Sequence, residues 1–253
     1  MIVLFTDFGE VGPYAGQVKA VLARNAPGVS VVDLLHDAPA FQAKPSSYLL
    51  AALIDVFPTE TVFLCVVDPG VGGDRAAIVV EADGRWFVGP DNGLFEVVMR
   101  RANSISAWNI TWRPESLSAS FHGRDLFASV AAMLARDLPS PGGAAPPGDP
   151  IPESSLRQTD WPDDLAEIIY IDNFGNAMTG LRARGLGTKT RLEAGGHTTE
   201  RFRTFSDLPS GGSFWYENSS GLAEIAVNKD RADRILGLGI GDPVIVHNTG
   251  PDS

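Results

Sequence analysis

The sequence is poor in cysteine, in net positive charge and in long apolar runs, and each shortage removes a class of function. Cys65 is the single cysteine among 253 residues, so no disulfide framework can form within the chain. It lies inside an apolar run with no neighbour that would generate a thiolate, which reads as a small hydrophobe rather than a nucleophile. Acidic residues outnumber basic ones by 31 to 20, giving a formal net charge of −11. Such a balance argues against non-specific binding to nucleic acid or to an anionic membrane, and leaves cationic small molecules open. No run approaches the roughly 20 apolar residues that a bilayer-spanning helix needs. The chain opens directly on a strand, IVLFTDFG, not on a basic stretch followed by an apolar one. The expectation is a cytoplasmic protein without nucleic-acid or membrane partners. Histidine, cysteine and carboxylate spacings match no zinc or two-metal pattern, so no metal is expected.

What is present is ordinary for a globular protein: 44% apolar and 20% charged residues, in a chain long enough for one large domain or two modest ones. The first half alternates strand and helix patterns. MIVLF at 1–5 reads as a buried strand and YAGQVKAVLARN at 14–25 as a helix with Val18, Val21 and Leu22 on one face. VSVVDL at 29–34 completes a βαβ unit, which implies parallel strands and a right-handed crossover. SSYLLAALIDV at 46–56 reads as a helix, TVFLCVV at 61–67 as a strand, 76–82 and 85–88 as a hairpin, and 94–101 as a helix. A further strand is expected at 105–110 and an apolar helix at 126–137, capped by Asp125.

The stretch 138–152, LPSPGGAAPPGDPIP, holds six prolines and three glycines and is expected to lack regular structure. It divides the chain into an N-terminal α/β domain with a mainly parallel sheet (1–140), a Pro/Gly-rich linker (141–160) and a smaller C-terminal domain (161–253). Short strand-like runs at 167–171, 189–192, 197–202, 213–216, 222–226 and 243–247 make the last an antiparallel β-barrel or sandwich.

Several polar loops follow these strands. Asp68 ends the 61–67 strand, and carboxyl edges of α/β strands are where ligands bind. Across the glycine-rich loop 68–75, Asp68 and Arg75 can brace each other as an ion pair or grip a small polar species. Asp7 is a second aspartate at a strand's carboxyl edge. His122 sits with Arg124 and Asp125 beside a helix start, where anions and polar ligands are accommodated. His36-Asp37 can be a loop brace or take a direct role. GPDNG at 89–93 is a turn that can also line a pocket. DNFGN at 172–176 and NSSG at 218–221 are, singly, ordinary turn chemistry. His197 and His247 have no partner in sequence and are expected at the surface.

Taken together the loops are specific. TDFG at 6–9, HD at 36–37, VDPGVGGDR at 67–75, GPDNG at 89–93, FHGRD at 121–125, DNFGN at 172–176 and NSSGLAEIAVN at 218–228 occur in this order. With them the chain resembles, from residue 1 to about residue 248, the DUF62 family of S-adenosyl-L-methionine (SAM) hydroxide adenosyltransferases, the adenosine-forming SAM hydrolases. These are relatives of the fluorinases and chlorinases. The resemblance implies an N-terminal α/β domain, a C-terminal β-barrel, and a homotrimer whose ligand sits at subunit interfaces. It implies attack of water or hydroxide on ribose C5′ of SAM, with methionine leaving as a neutral thioether and no cofactor; adenosine or SAM can co-purify. The catalytic set it implies is Asp68, Arg75 and His122. For substrate it implies Asp7 on the ribose diol, Phe41 beside the ligand, Asp172 on the methionine ammonium and Asn176 on an adenine edge. Phe174 would pack on the adenine, Ser219 and Ser220 would hold the methionine carboxylate, and Val227, Asn228 and Lys229 would offer backbone groups to the base. In the halogenases the Asp68 position is not an aspartate. Where the fluorinase has a serine and a threonine near the nucleophile, this chain has Gly123 and Val71. Hydrolysis is therefore favoured over halogenation, and a SAM- or adenosine-binding sensor with negligible turnover is the alternative.

Overall fold

Strand β1 (Ile2–Thr6) is fully buried and sits inside a seven-stranded sheet. The computed structural model describes residues 1–137 and 146–247, which fall into two compact units, Met1–Gln158 and Thr159–Ser253. In the first unit β1 leads through helix α1 (Tyr14–Asn25) to β2 (Val31–Leu35), then through α2 (Ala43–Leu53) to β3 (Val62–Val66). A hairpin of β4 (Ala77–Ala82) and β5 (Arg85–Pro90) follows, then α3 (Glu96–Arg101), β6 (Ile105–Ile110), α4 (Ala128–Asp137) and β7 (Gly148–Ile151). The order across the sheet is β2-β1-β3-β5-β4-β6-β7. The first four strands in that order are parallel, and the remaining pairings are antiparallel.

The chain moves from β1 outward to β2 and returns to the other side of β1 for β3. With right-handed crossovers, that reversal places α1 and α2 on opposite faces of the sheet. It also opens a crevice at the carboxyl ends of β1 and β3, the switch point where α/β sheets bind ligands. The two ends are level, because Ile2 pairs with Val62 and Thr6 with Val66. Ile2, Leu4, Val62, Leu64 and Val66 pack under α1 and α4, against Val18, Leu22, Phe127 and Val130. On the strand's other side Phe63 stacks on Phe87 with ring centroids 5.0 Å apart.

Two expectations are corrected here. Part of the proline-rich stretch is regular: β7 pairs with β6 as an edge strand, with Pro150 opposite Trp108. An edge position tolerates proline, since one side of the strand needs no ladder donor. Residues 138–145 of that stretch lie outside the described residues. Asp125 does not cap α4. A π-helical turn over Gly123–Phe127 runs directly into the helix, so Asp125 lies inside it and binds the Ser118 N–H and Arg124 instead.

In the second unit β8 (Leu165–Ile171) and β9 (Ala177–Arg182) form a hairpin, followed by β10 (Arg191–Ala194), β11 (His197–Thr199), β12 (Ser213–Glu217), β13 (Leu222–Val227), the single turn α5 (Ala232–Ile235) and β14 (Ile245–His247). They make a four-stranded antiparallel sheet, β12-β13-β9-β8, and a three-stranded one, β11-β10-β14. Isolated bridges, Arg201 to Trp215 and Glu167 to Pro243, tie one sheet to the other. Trp215, Ile225, Leu192 and Ile168 fill the space between, and the Trp215 indole N–H donates to the Thr190 carbonyl at 2.9 Å. Strand β9 has no counterpart in the sequence reading. Its apolar run is broken by Thr179 and Gly180, and Gly180 is required where a Cβ would sit 2.7 Å from the Leu165 carbonyl oxygen.

Candidate active site

Asp68 leaves the end of β3 and meets Arg75 across the glycine-rich loop. The guanidinium grips the carboxylate with two bonds, Nε to Oδ1 at 2.9 Å and Nη2 to Oδ2 at 2.5 Å. Both side chains are nearly buried, 4% exposed for Asp68 and 11% for Arg75, which is where a bidentate pair is strongest. One glycine makes the loop possible: Gly72 has φ +79° and its Cβ would lie 2.4 Å from the Ala119 carbonyl oxygen.

Arg75 also reaches His122, with Nη2 and Nδ1 2.9 Å apart. A guanidinium only donates, so His122 Nδ1 is the acceptor and the neutral ring carries its proton on Nε2. Burial, then the Arg75 charge, holds the imidazole below the usual histidine range, and Asp68 opposes them. The Arg75 guanidinium lies over the Phe127 ring, 5.2 Å from its centroid. Gly123 has no room for a side chain: a Cβ there would be 2.9 Å from the Phe8 ring.

Asp7 emerges beside Asp68 because the strands are in register, and its N–H donates to the Val66 carbonyl at 3.2 Å. Its carboxylate accepts the Phe41 N–H at 3.0 Å. Burial raises the Asp7 carboxyl above its ordinary range; the Phe41 bond pulls the other way and the Asp68 charge adds to the rise. Phe41 is 75% exposed and sits at φ +64°, a conformation that costs an aromatic residue energy and that clusters at ligand sites. His36 braces its loop. It is buried, with Nδ1 2.8 Å from the Thr6 hydroxyl and Nε2 3.0 Å from Asp33. Cys65 is buried in β3, and burial alone pushes its thiol up, so it is a core residue.

The second unit carries a cavity of about 700 Å³. Asp172, Phe174, Asn176, Val227 and Lys229 line it, together with Phe205, Tyr216 and Arg231. Asp172 receives the Asn176 N–H at 2.8 Å and the Asn176 amide at 3.0 Å. Three expected residues stand apart from its lining. Ser219 and Ser220 lie in the turn between β12 and β13, and Asn228 is buried with its amide on the Leu208 carbonyl at 2.7 Å.

Tyr216 and Glu224 were missed by the sequence reading. Glu224 is 2% exposed and accepts from the Tyr216 hydroxyl and, at 2.7 Å, from Asn218. Burial raises the Glu224 carboxyl, and its bonds to Tyr216 and Asn218 oppose the rise. Burial first, then Glu224, pushes the Tyr216 phenol up. The signal available was a carboxylate on the otherwise apolar run LAEIAV, where only a partnered acid can be buried. Among the described residues, no three His, Cys, Asp or Glu side chains form a metal-binding group, and no helix is long and apolar enough to cross a membrane.

A bidentate Asp–Arg pair with a histidine beside it stands at the carboxyl edge of β3, in a two-unit protein whose second unit carries a cavity of about 700 Å³. Residues 2–141 match the SAM hydroxide adenosyltransferase N-terminal domain and residues 166–245 the C-terminal domain of the same name, so the chain belongs to that family. It is 40% identical to an (R)-S-adenosyl-L-methionine hydrolase of Thermus thermophilus, over 96% of this chain and 98% of that one. It is 36% identical to an enzyme of the same name from Salinispora arenicola, over 95% of each. A fluorinase of Nocardia brasiliensis is more distant, at 23% identity over 90% of each chain. A crystal structure of an uncharacterized conserved protein from Thermotoga maritima superposes with TM-score 0.85 at 32% identity, covering 98% of this chain and all of the other.

Proposed function

We infer that the protein hydrolyses S-adenosyl-L-methionine to adenosine and L-methionine. The observation that carries this is the Asp68–Arg75–His122 array at the β1/β3 crevice, in a chain whose 40%-identical relative bears that activity in its name.

In the proposed mechanism a water attacks C5′ in line with the C–S bond. The C5′–S bond breaks, its electrons stay on sulfur, and methionine departs as a neutral thioether. The sulfonium is already activated, so no acid is required; what is required is an oriented oxygen nucleophile. Asp68 is the proton acceptor in this reading. Each of its oxygens takes one bond from Arg75 and keeps further acceptor capacity, whereas His122 Nδ1 is occupied by Arg75 and Nε2 carries a proton. His122 then donates toward the water oxygen, and Arg75 offsets the charge growing on it. A positioned base of this kind contributes about 10²–10⁴-fold. Asp7 takes the ribose diol. Asp172, Phe174, Asn176, Ser219, Ser220, Val227, Asn228 and Lys229 serve the adenine and methionine ends as the resemblance implies, Ser219 and Ser220 only if their turn closes over the ligand. No cofactor or metal takes part.

Halide chemistry is disfavoured on the same geometry. A buried carboxylate at residue 68 repels an anion, and position 123 cannot accept a serine without displacing Phe8. Closure of the two C-terminal sheets into a barrel, the domain limits 1–140, 141–160 and 161–253, a cytoplasmic location and a homotrimer with sites at subunit interfaces complete the proposal. The two bridges between the sheets support barrel closure.

The test is incubation with SAM and quantification of both products. Equimolar adenosine and methionine, lost on Asp68→Ala, support the reading. SAM bound tightly but recovered intact would replace it with a binding or sensing role. Separate assay of the two sulfonium epimers tests the stereochemistry that the relatives' names carry, and a sedimentation mass of three chains tests the trimer.

A further inference from the structure

The turn at residues 89–93 holds both stems of the catalytic loop. Its Asn92 amide nitrogen donates to the Val67 carbonyl at 2.8 Å, one residue before Asp68, while Asn92 Oδ1 accepts the Leu94 N–H at 3.2 Å. Its Asp91 N–H donates to the Ala76 carbonyl at 3.0 Å, one residue after Arg75, and Arg75 Nη1 approaches the same oxygen at 3.4 Å. The turn has no freedom to drift. A Cβ on Gly89 would lie 2.3 Å from the Cys65 carbonyl oxygen, so β5 is pressed against β3 at this point, and Gly93 turns the chain back at φ +90°. The amide cannot be reversed, because its oxygen is fixed by a backbone donor and its nitrogen by a backbone acceptor.

We propose that Asn92 is a positioning residue for the reaction: by holding the Val67 carbonyl it sets Asp68 against Arg75, and through Arg75 it sets His122. Asn92 need not touch substrate. The inference rests on the reading that this array activates water.

Asn92→Asp, in the full-length chain, keeps the acceptor for Leu94 and the size of the side chain but removes the donor to Val67. Asn92→Ala removes both. The expected result is a fall in kcat of about 10–10²-fold with KM changed less than about threefold, the signature of a reacting group moved by a fraction of an ångström. In an Asp68→Asn background the same Asn92 substitution should cost almost nothing more, because coupled residues are non-additive. Equal loss in both backgrounds would show a merely structural role and overturn the proposal, as would unchanged kcat in both Asn92 variants. A substrate-free readout separates this inference from the functional one. In wild type the His122 ring, titrated by NMR, should titrate below the usual histidine range, and Asn92→Ala, which adds no charge, should move it back toward that range as the contact with Arg75 loosens. If wild type leaves SAM intact while the titration still responds, hydrolysis fails and positioning stands. If the titration and turnover are both indifferent to Asn92, positioning fails. Should Asn92→Ala not fold, Asn92→Asp carries the two kinetic readouts and the uncharged Asn92→Ser the titration.

Discussion

At the scale of single residues, the site is set by which protons the side chains can hold. His122 accepts from Arg75 and is neutral in the array. Burial and the Arg75 charge lower its pKa from the ordinary value of 6.5, so the neutral ring persists to more acid pH than in a free histidine. The sign follows: any stability that rests on the neutral ring is full above pH 6.5 and declines as pH falls from there through the lowered value. Protonation also removes the acceptor for Arg75. The acid limb of kcat/KM should therefore lie below the usual histidine range, and a limb at or above pH 6.5 would contradict the neutral ring assigned here. Asp7 gives the opposite trade. Its carboxyl is raised by burial, so the ionised form opposes folding once pH exceeds the ordinary value of 3.8. Asp7→Asn should raise the thermal midpoint at neutral pH while raising KM on the order of tenfold, because the diol loses a charged acceptor. Melting curves and initial rates on the same preparation check both directions.

At the scale of elements, the loop between β3 and β4 is the part that cannot be altered. Gly72→Ala would drive a Cβ into the Ala119 carbonyl and force a left-handed residue to carry a side chain. We expect a loss of stability of about 1–3 kcal/mol, in the range of such backbone conflicts, together with loss of most activity; denaturant midpoints and rates measure the two. Much at this scale was legible in the sequence. The runs MIVLF and TVFLCVV became β1 and β3, the helix at 14–25 is α1, and Asp68, Arg75 and His122 are in contact. The strands were legible because a buried parallel strand is a continuous apolar run, and the Asp68–Arg75 pair because the glycine-rich loop sets the two across from each other; His122 as their partner was implied only by the family resemblance. What was hidden has physical reasons too. Strand β7 contains a proline, which reads as irregular until an edge position accommodates it. The π-helical turn at Gly123–Phe127 shifts Asp125 from a cap to a partner of Arg124, and no residue type announces such a turn. Glu224 and Tyr216 are tied by a bond between adjacent strands, Tyr216 lying opposite Glu224 in the β12–β13 pairing, a proximity that sequence distance does not reveal. The seryl pair at 219–220 was placed by motif order alone, and the geometry leaves it in a turn away from the cavity lining.

At the scale of the whole molecule, each unit carries its own polar constellation: Asp68, Arg75 and His122 in the first, and a cavity of about 700 Å³ in the second. The net charge of −11 suits a cationic substrate better than an anionic co-substrate. With halide disfavoured by the Asp68 carboxylate, the nucleophile is the central claim, and it has a direct measurement: turnover of SAM in halide-free buffer made with ¹⁸O-water, followed by mass analysis of the nucleoside. The account predicts adenosine carrying one ¹⁸O on its 5′ carbon, formed at a rate that Asp68→Ala abolishes. Adenosine without the label, or a 5′-halogenated nucleoside appearing only when chloride is added, would contradict it.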